Sequence, residues 1–69
     1  MKINYNPKHD LMHLVFRETD KVRNERYNED IVFDMDKNGK VVGMEILDAT
    51  DYLNLEDLLS VTLIQEKAA

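Results

Sequence analysis

The chain contains no cysteine and no tryptophan, and among its 69 residues there are one proline, one serine and two glycines. Without cysteine there is no disulfide, no thiolate ligand for zinc and no thiol nucleophile. A chain this short withdraws only about 60% of its unfolded surface from water, so a partner subunit or a metal is left as the available staple. Ser60 is the sole serine and lies in an apolar stretch, away from any base or oxyanion hole, so no enzymatic activity is expected. Gly39 and Gly43, the only glycines, build no phosphate loop, and no cofactor is expected. No apolar run approaches the roughly 20 residues that span a bilayer. Met1-Lys2-Ile3-Asn4 leads directly into patterned sequence without the apolar core of a signal peptide, so the expected compartment is the cytoplasm, with no membrane partner.

What is present is charge beside β-branched residues. Charged residues make up 33% and hydrophobic ones 43%, a balance that suits a folded domain rather than a disordered tail. The net charge of −5 is unevenly placed: residues 1–27 hold six Lys/Arg against four Asp/Glu (net +2), and residues 28–69 hold three against ten (net −7). Phosphate binding needs a basic surface, so nucleic acid is not an expected partner, and a basic protein suits the second half better. With no internal repeat and no low-complexity tract, residues 1–69 read as one domain.

Lys2-Ile3-Asn4-Tyr5 alternates, Asn6 to Asp10 supplies turn chemistry around Pro7, and Leu11 to Phe16 follows as an apolar run, together reading as a hairpin. Lys21 to Tyr27 offers only Val22 and Tyr27 as large apolar residues and suits a charged sheet edge. Ile31 to Asp36 and Val41 to Leu47 are strong strands flanking Asn38-Gly39, the favoured pair for a two-residue type I′ turn. That turn sets Met35/Val42, Phe33/Met44 and Ile31/Ile46 on one apolar face, whereas a three-residue loop shifts the pairing by one and puts Phe33 opposite Gly43.

The opposite face is mixed. It carries Asp30, Val32, Asp34, Val41, Glu45 and Leu47, joined by Leu11, His13 and Val15 if Met12, Leu14 and Phe16 point inward. Too apolar to be wholly solvated, it is the candidate interaction surface for a dimer or another partner, unless a loop or the C-terminal segment folds over it. Asn54 reads as an N-cap before acidic Glu56 and Asp57, and Leu55, Leu58, Leu59, Val61, Leu63 and Ile64 continue as an apolar helix. The expected class is α+β: an antiparallel sheet of about five strands over 1–48, a meander of hairpins, with a C-terminal helix over about 55–67 packed on one face.

Two constellations bear on metal chemistry. Asp34-x-Asp36-x-Asn38-Gly39-x5-Glu45 satisfies the spacing of an EF-hand calcium loop, making Asp34, Asp36, Asn38 and Glu45 the alternative, cation-binding reading. The flanks alternate as strands rather than helices, which spreads those oxygens along a hairpin; Asp34 and Glu45 are diagonal neighbours at roughly 7–8 Å. His9, Asp10 and His13 are a second set, but a spacing of four aligns two histidines on a helix, not across a turn. Lys21, Arg23 and Arg26 with Tyr27 form a basic patch too small for single-stranded nucleic acid.

Met1-Lys2-Ile3-x-Tyr5-x-Pro7, Ile31-Val32-x-Asp34-x-Asp36 and Gly39-x-Val41-Val42-Gly43-Met44-Glu45-Ile46-Leu47-Asp48-Ala49 together resemble the bacterial and archaeal family catalogued as domain of unknown function 2283, over residues 1–50. The resemblance implies a compact α+β domain and brings no activity, cofactor or catalytic residue. Members are often encoded beside small toxin-like proteins, which implies an antitoxin role for some. His9 and His13 depart from the commoner pattern. The expected function is a small acidic interaction module, self-associating as a dimer and antitoxin-like towards a basic protein.

Overall fold

The computed structural model describes residues 1–66. Strands β1 (Lys2–Asn6), β2 (Leu11–Val15), β3 (Arg23–Arg26), β4 (Ile31–Met35) and β5 (Val41–Leu47) form one antiparallel sheet in the order β1-β2-β5-β4-β3. A 3-10 turn at Ala49–Asp51 and a one-turn helix, α1 (Leu55–Leu59), follow. The five strands and the β1–β2 hairpin agree with expectation, and Pro7 lies in the turn between them.

The simple meander does not. β2 pairs with β5, while β3 sits at the far edge against β4 alone. Composition explains the exchange: β3 is Arg-Asn-Glu-Arg, exposed at all four positions, and a strand with nothing to bury belongs at an edge. β2 instead contributes Met12 and Leu14 to a central position beside β5. The β2–β3 connection therefore runs past the end of the sheet. Phe16 N–H donates to the Val42 carbonyl at 2.8 Å, and Val22 N–H to the Met35 carbonyl at 2.9 Å.

The β4–β5 turn corrects a second expectation. Asp36 N–H donates to the Lys40 carbonyl at 2.9 Å, leaving Lys37, Asn38 and Gly39 as a three-residue loop. Gly39 alone in this loop has positive φ, at 80°, whereas a type I′ turn needs two such residues. Asp36 closes the loop with its side chain, Oδ1 accepting from Asn38 N–H and Lys40 N–H at 2.9 Å each. Three loop residues ought to displace the whole hairpin by one. A β-bulge absorbs the displacement instead: Met35 pairs with Val41, then Asp34 with Gly43, Phe33 with Met44 and Ile31 with Ile46. The apolar pairs Phe33/Met44 and Ile31/Ile46 are thus as the alternation predicts, and only Met35/Val42 is replaced.

The inner face of the sheet holds the main core. Met12, Leu14, Ile46 and Ala49 are buried, and Tyr5, Ile31, Met44, Leu53, Leu55 and Leu58 pack around them. Asp10, in a left-handed conformation at φ 50°, ties the 3-10 turn to the β1–β2 turn. Its carboxylate accepts from the Tyr5 hydroxyl at 2.8 Å and the Thr50 hydroxyl at 2.6 Å, and its carbonyl accepts from Ala49 N–H at 3.0 Å.

The expected helix over 55–67 contracts to Leu55–Leu59, with residue 67 outside the described residues. Asn54 is the N-cap, its side chain accepting from Glu56 N–H at 2.9 Å. Past Ser60 the segment is Val-Thr-Leu-Ile, where three β-branched side chains lose rotamer freedom in a helix. Among the described residues this stretch is uncovered: Leu63 and Ile64 are 89% and 81% exposed.

Candidate functional site

Two places on the sheet stand out, one on each face. On the outer face, cross-strand register aligns His13 (β2), Glu45 (β5) and Val32 (β4) in one row, and Val15, Gly43 and Asp34 in the next. The Asp34 side chain leaves β4, passes over Gly43 and reaches β2, where its Oδ2 lies 2.8 Å from His13 Nε2. Strands two apart are separated by roughly 9.6 Å, so this bridge needs clear space above the strand between them. Gly43 provides it. A Cβ there would stand 2.8 Å from Asp34 Oδ2 and 2.7 Å from the Leu14 carbonyl oxygen.

Asp34 is 4% exposed, yet its other oxygen is also engaged: Asn24 Nδ2 donates to Oδ1 at 3.3 Å, and Lys21 Nζ approaches it to 3.9 Å. One donor atom from each of His13, Asp34 and Glu45 falls within 4.8 Å of the others. Beside them is an opening of about 180 Å³ lined by His13, Val15, Arg17, Lys21, Asp34 and Val42.

The structure therefore redistributes the sequence-derived candidates. Of the calcium-loop set, Asp34 and Glu45 come together on the outer face, while Asp36 and Asn38 belong to the turn. The backbone N–H groups of Lys40 and Asn38, aided by the Lys40 and Arg17 charges, hold the Asp36 carboxyl below the usual carboxylate range. Of the histidine set, His9 lies exposed in the β1–β2 turn, Asp10 binds Tyr5 and Thr50, and only His13 joins a cluster. Asp34 and Asp36 are both buried rather than solvated on the hairpin surface.

Of the candidate interaction surface, Val32 and Asp34 are buried, Val41 and Leu47 are 40% exposed, and Glu45 is half-buried. Asp30 accepts from the Tyr52 hydroxyl at 2.6 Å, a bond that raises the Tyr52 pKa. The basic residues of β3 are spent locally: Arg23 pairs with Glu25 at 3.1 Å, and Arg26 donates to the carbonyls of Asn28 and Glu29.

The second place is on the inner face. Ile3, Tyr5, Met12, Leu55, Leu58 and Leu59 line an open apolar groove of about 400 Å³ between β1 and α1. The exposed apolar stretch that includes Val61, Leu63 and Ile64 continues from its rim. The apolar residues that the sequence places on a longer helix are instead divided between this groove and the exposed stretch.

The family model described as "Protein of unknown function (DUF2283)" matches residues 2–49. The chain belongs to this family. The DUF2283 span contains His13, Asp34, Gly43 and Glu45 and all five strands in full; α1 and the apolar stretch after it lie beyond it. An uncharacterised protein of Methanocaldococcus jannaschii is 41% identical over 61 residues, covering 86% of this chain and 52% of that protein. The chain thus spans about half the length of the curated relative it matches. No solved structure matches it. Among the described residues, no helix is long and apolar enough to cross a membrane.

Proposed function

We propose that this DUF2283 chain is a non-enzymatic interaction module that self-associates, the inner-face groove of one copy receiving the apolar C-terminal stretch of a second. The observation that carries the reading is the apposition of an unfilled apolar groove and an uncovered apolar segment in the same chain. Surface area supplies the scale. The chain exposes 5755 Å², against about 4,500 Å² for a compact monomer of its mass. The excess, about 1,250 Å², exceeds the roughly 800 Å² that each partner contributes to a standard interface. The radius of gyration, 13.7 Å, is likewise above the roughly 11 Å of a compact domain of this length.

A second copy is the occupant because groove and segment come in equal number on every chain, and a two-fold arrangement fills both grooves at once. The finer reading, an antitoxin-like role towards a basic protein, draws on the net −7 of residues 28–69 and on the family resemblance. Sedimentation equilibrium over the micromolar range tests self-association, with L63D/I64D as the paired variant. Both side chains are exposed, so the variant leaves the monomer's core intact. Wild type is expected to be a dimer and the variant a monomer. A monomeric wild type, or a variant that still dimerises, overturns the proposal.

A further inference from the structure

The outer-face cluster is independent of the groove and points to different chemistry. We infer that His13, Asp34 and Glu45 form a site for one divalent transition-metal ion of the zinc class, with one imidazole nitrogen and two carboxylate oxygens as ligands.

The argument begins with placement. The three residues come from three adjacent strands at the centre of the sheet, β2, β5 and β4, so their backbones are fixed by ladder hydrogen bonds on both sides. Donor sets held on rigid elements need little ordering when an ion arrives. All three donor atoms lie within 4.8 Å of one another. Ligands of one zinc ion, at about 2.0–2.2 Å each, stand roughly 3–4 Å apart, so an ion requires the 2.8 Å His13–Asp34 contact to open slightly and the half-buried Glu45 side chain to shift by a small distance.

Chemistry agrees with placement. His13 Nε2 and Asp34 Oδ2 already face each other at 2.8 Å. A divalent ion held by a neutral imidazole and the two carboxylates balances their charge of −2, while Lys21 Nζ stands 3.9 Å from the other Asp34 oxygen, Oδ1. Asn24 engages Asp34 through Oδ1, the oxygen that does not face His13, as the outer partners of metal-ligating carboxylates do. The solvent-connected opening beside the cluster leaves room for water to complete a four-coordinate ion. The nitrogen donor and the small number of oxygens separate this site from a calcium site, which takes 6–8 oxygens. Asp36 and Asn38 of the calcium-loop spacing take no part.

Gly43 marks the arrangement as built. Any side chain there would force Asp34 away from His13, and the carboxylate would have no route across β5.

Zinc chloride is the probe, titrated into the chain by calorimetry and in thermal melts, with calcium chloride in parallel. One zinc per chain, a raised melting temperature and little response to calcium are expected. His13→Gln and Glu45→Gln should each weaken zinc at least tenfold, while His9→Gln should leave affinity unchanged. Circular dichroism confirms that each variant is folded, and Glu45→Gln, at a half-buried position, keeps the test open should His13→Gln unfold. Absence of zinc binding, affinity indifferent to both cluster variants, or calcium bound as tightly as zinc overturns the assignment.

Discussion

Gly43→Ala tests the close approach of the Asp34 side chain across β5. The added methyl lies 2.7 Å from the Leu14 carbonyl oxygen and 2.8 Å from Asp34 Oδ2, where ordinary contact is about 3.5 Å or more. The Asp34 carboxylate yields only by breaking its 2.8 Å contact with His13, and the Leu14 carbonyl only by prising β2 from β5. Overpacking of this kind costs about 1–3 kcal/mol. Against it stands the gain from removing a glycine's freedom in the unfolded chain, about 0.4–1 kcal/mol. The strain wins, by about 1–2 kcal/mol, which for a domain this small lowers the melting temperature by roughly 5–15 °C. Urea unfolding at fixed protein concentration measures it, as a lower midpoint at unchanged slope. An equal or higher midpoint would falsify the reasoning, since only the glycine-removal gain would then be operating.

Gly39→Ala tests a different cause. Nothing crowds that position, but its φ of 80° costs an L-residue about 1–2 kcal/mol, and Asn, which tolerates the left-handed region, should recover most of the loss. In urea unfolding, a Gly39→Ala variant as stable as Gly39→Asn would argue against backbone strain. Asp10→Asn probes the link between the β1–β2 turn and the 3-10 turn through pH. The Thr50 hydroxyl and then the Tyr5 hydroxyl lower the Asp10 pKa, so its contribution is complete above the unfolded value near ~3.9 and fades as pH falls through the lower folded one. The variant should therefore be less stable than wild type at neutral pH and converge on it in acid; a constant difference down to about pH 2 would speak against this.

The legible parts of the fold are those governed by local alternation. Ile31/Ile46 and Phe33/Met44 follow from a period of two, and His13 falls on the outer face on the same ground. The bulge was hidden because two local preferences conflict: Asp36-Lys37-Asn38-Gly39 favours a loop closed by the aspartate, while the apolar pairs demand the register of a shorter one. One additional residue on β5 satisfies both. The neighbour relation of β2 and β5 has no local signature, and without it His13 cannot be placed beside Asp34 and Glu45. Its one accessible trace is Gly43, a glycine inside an otherwise largely apolar strand, which signals a close approach. Beyond Ser60, apolar content resembled a helix face, but the β-branched residues that supply it do not favour one.

The pairing of β2 with β5 also has a consequence in time. Leu11 pairs with Leu47 and Val15 with Gly43, contacts 36 and 28 residues apart in the chain. At ribosomal rates of about 5–20 residues per second, β2 emerges roughly 2–6 s before its partner exists. During that interval the newborn β1–β2 hairpin carries Met12 and Leu14 on an open face and a bare edge where β5 will dock, so the chain is most exposed to mispairing before its fifth strand is made.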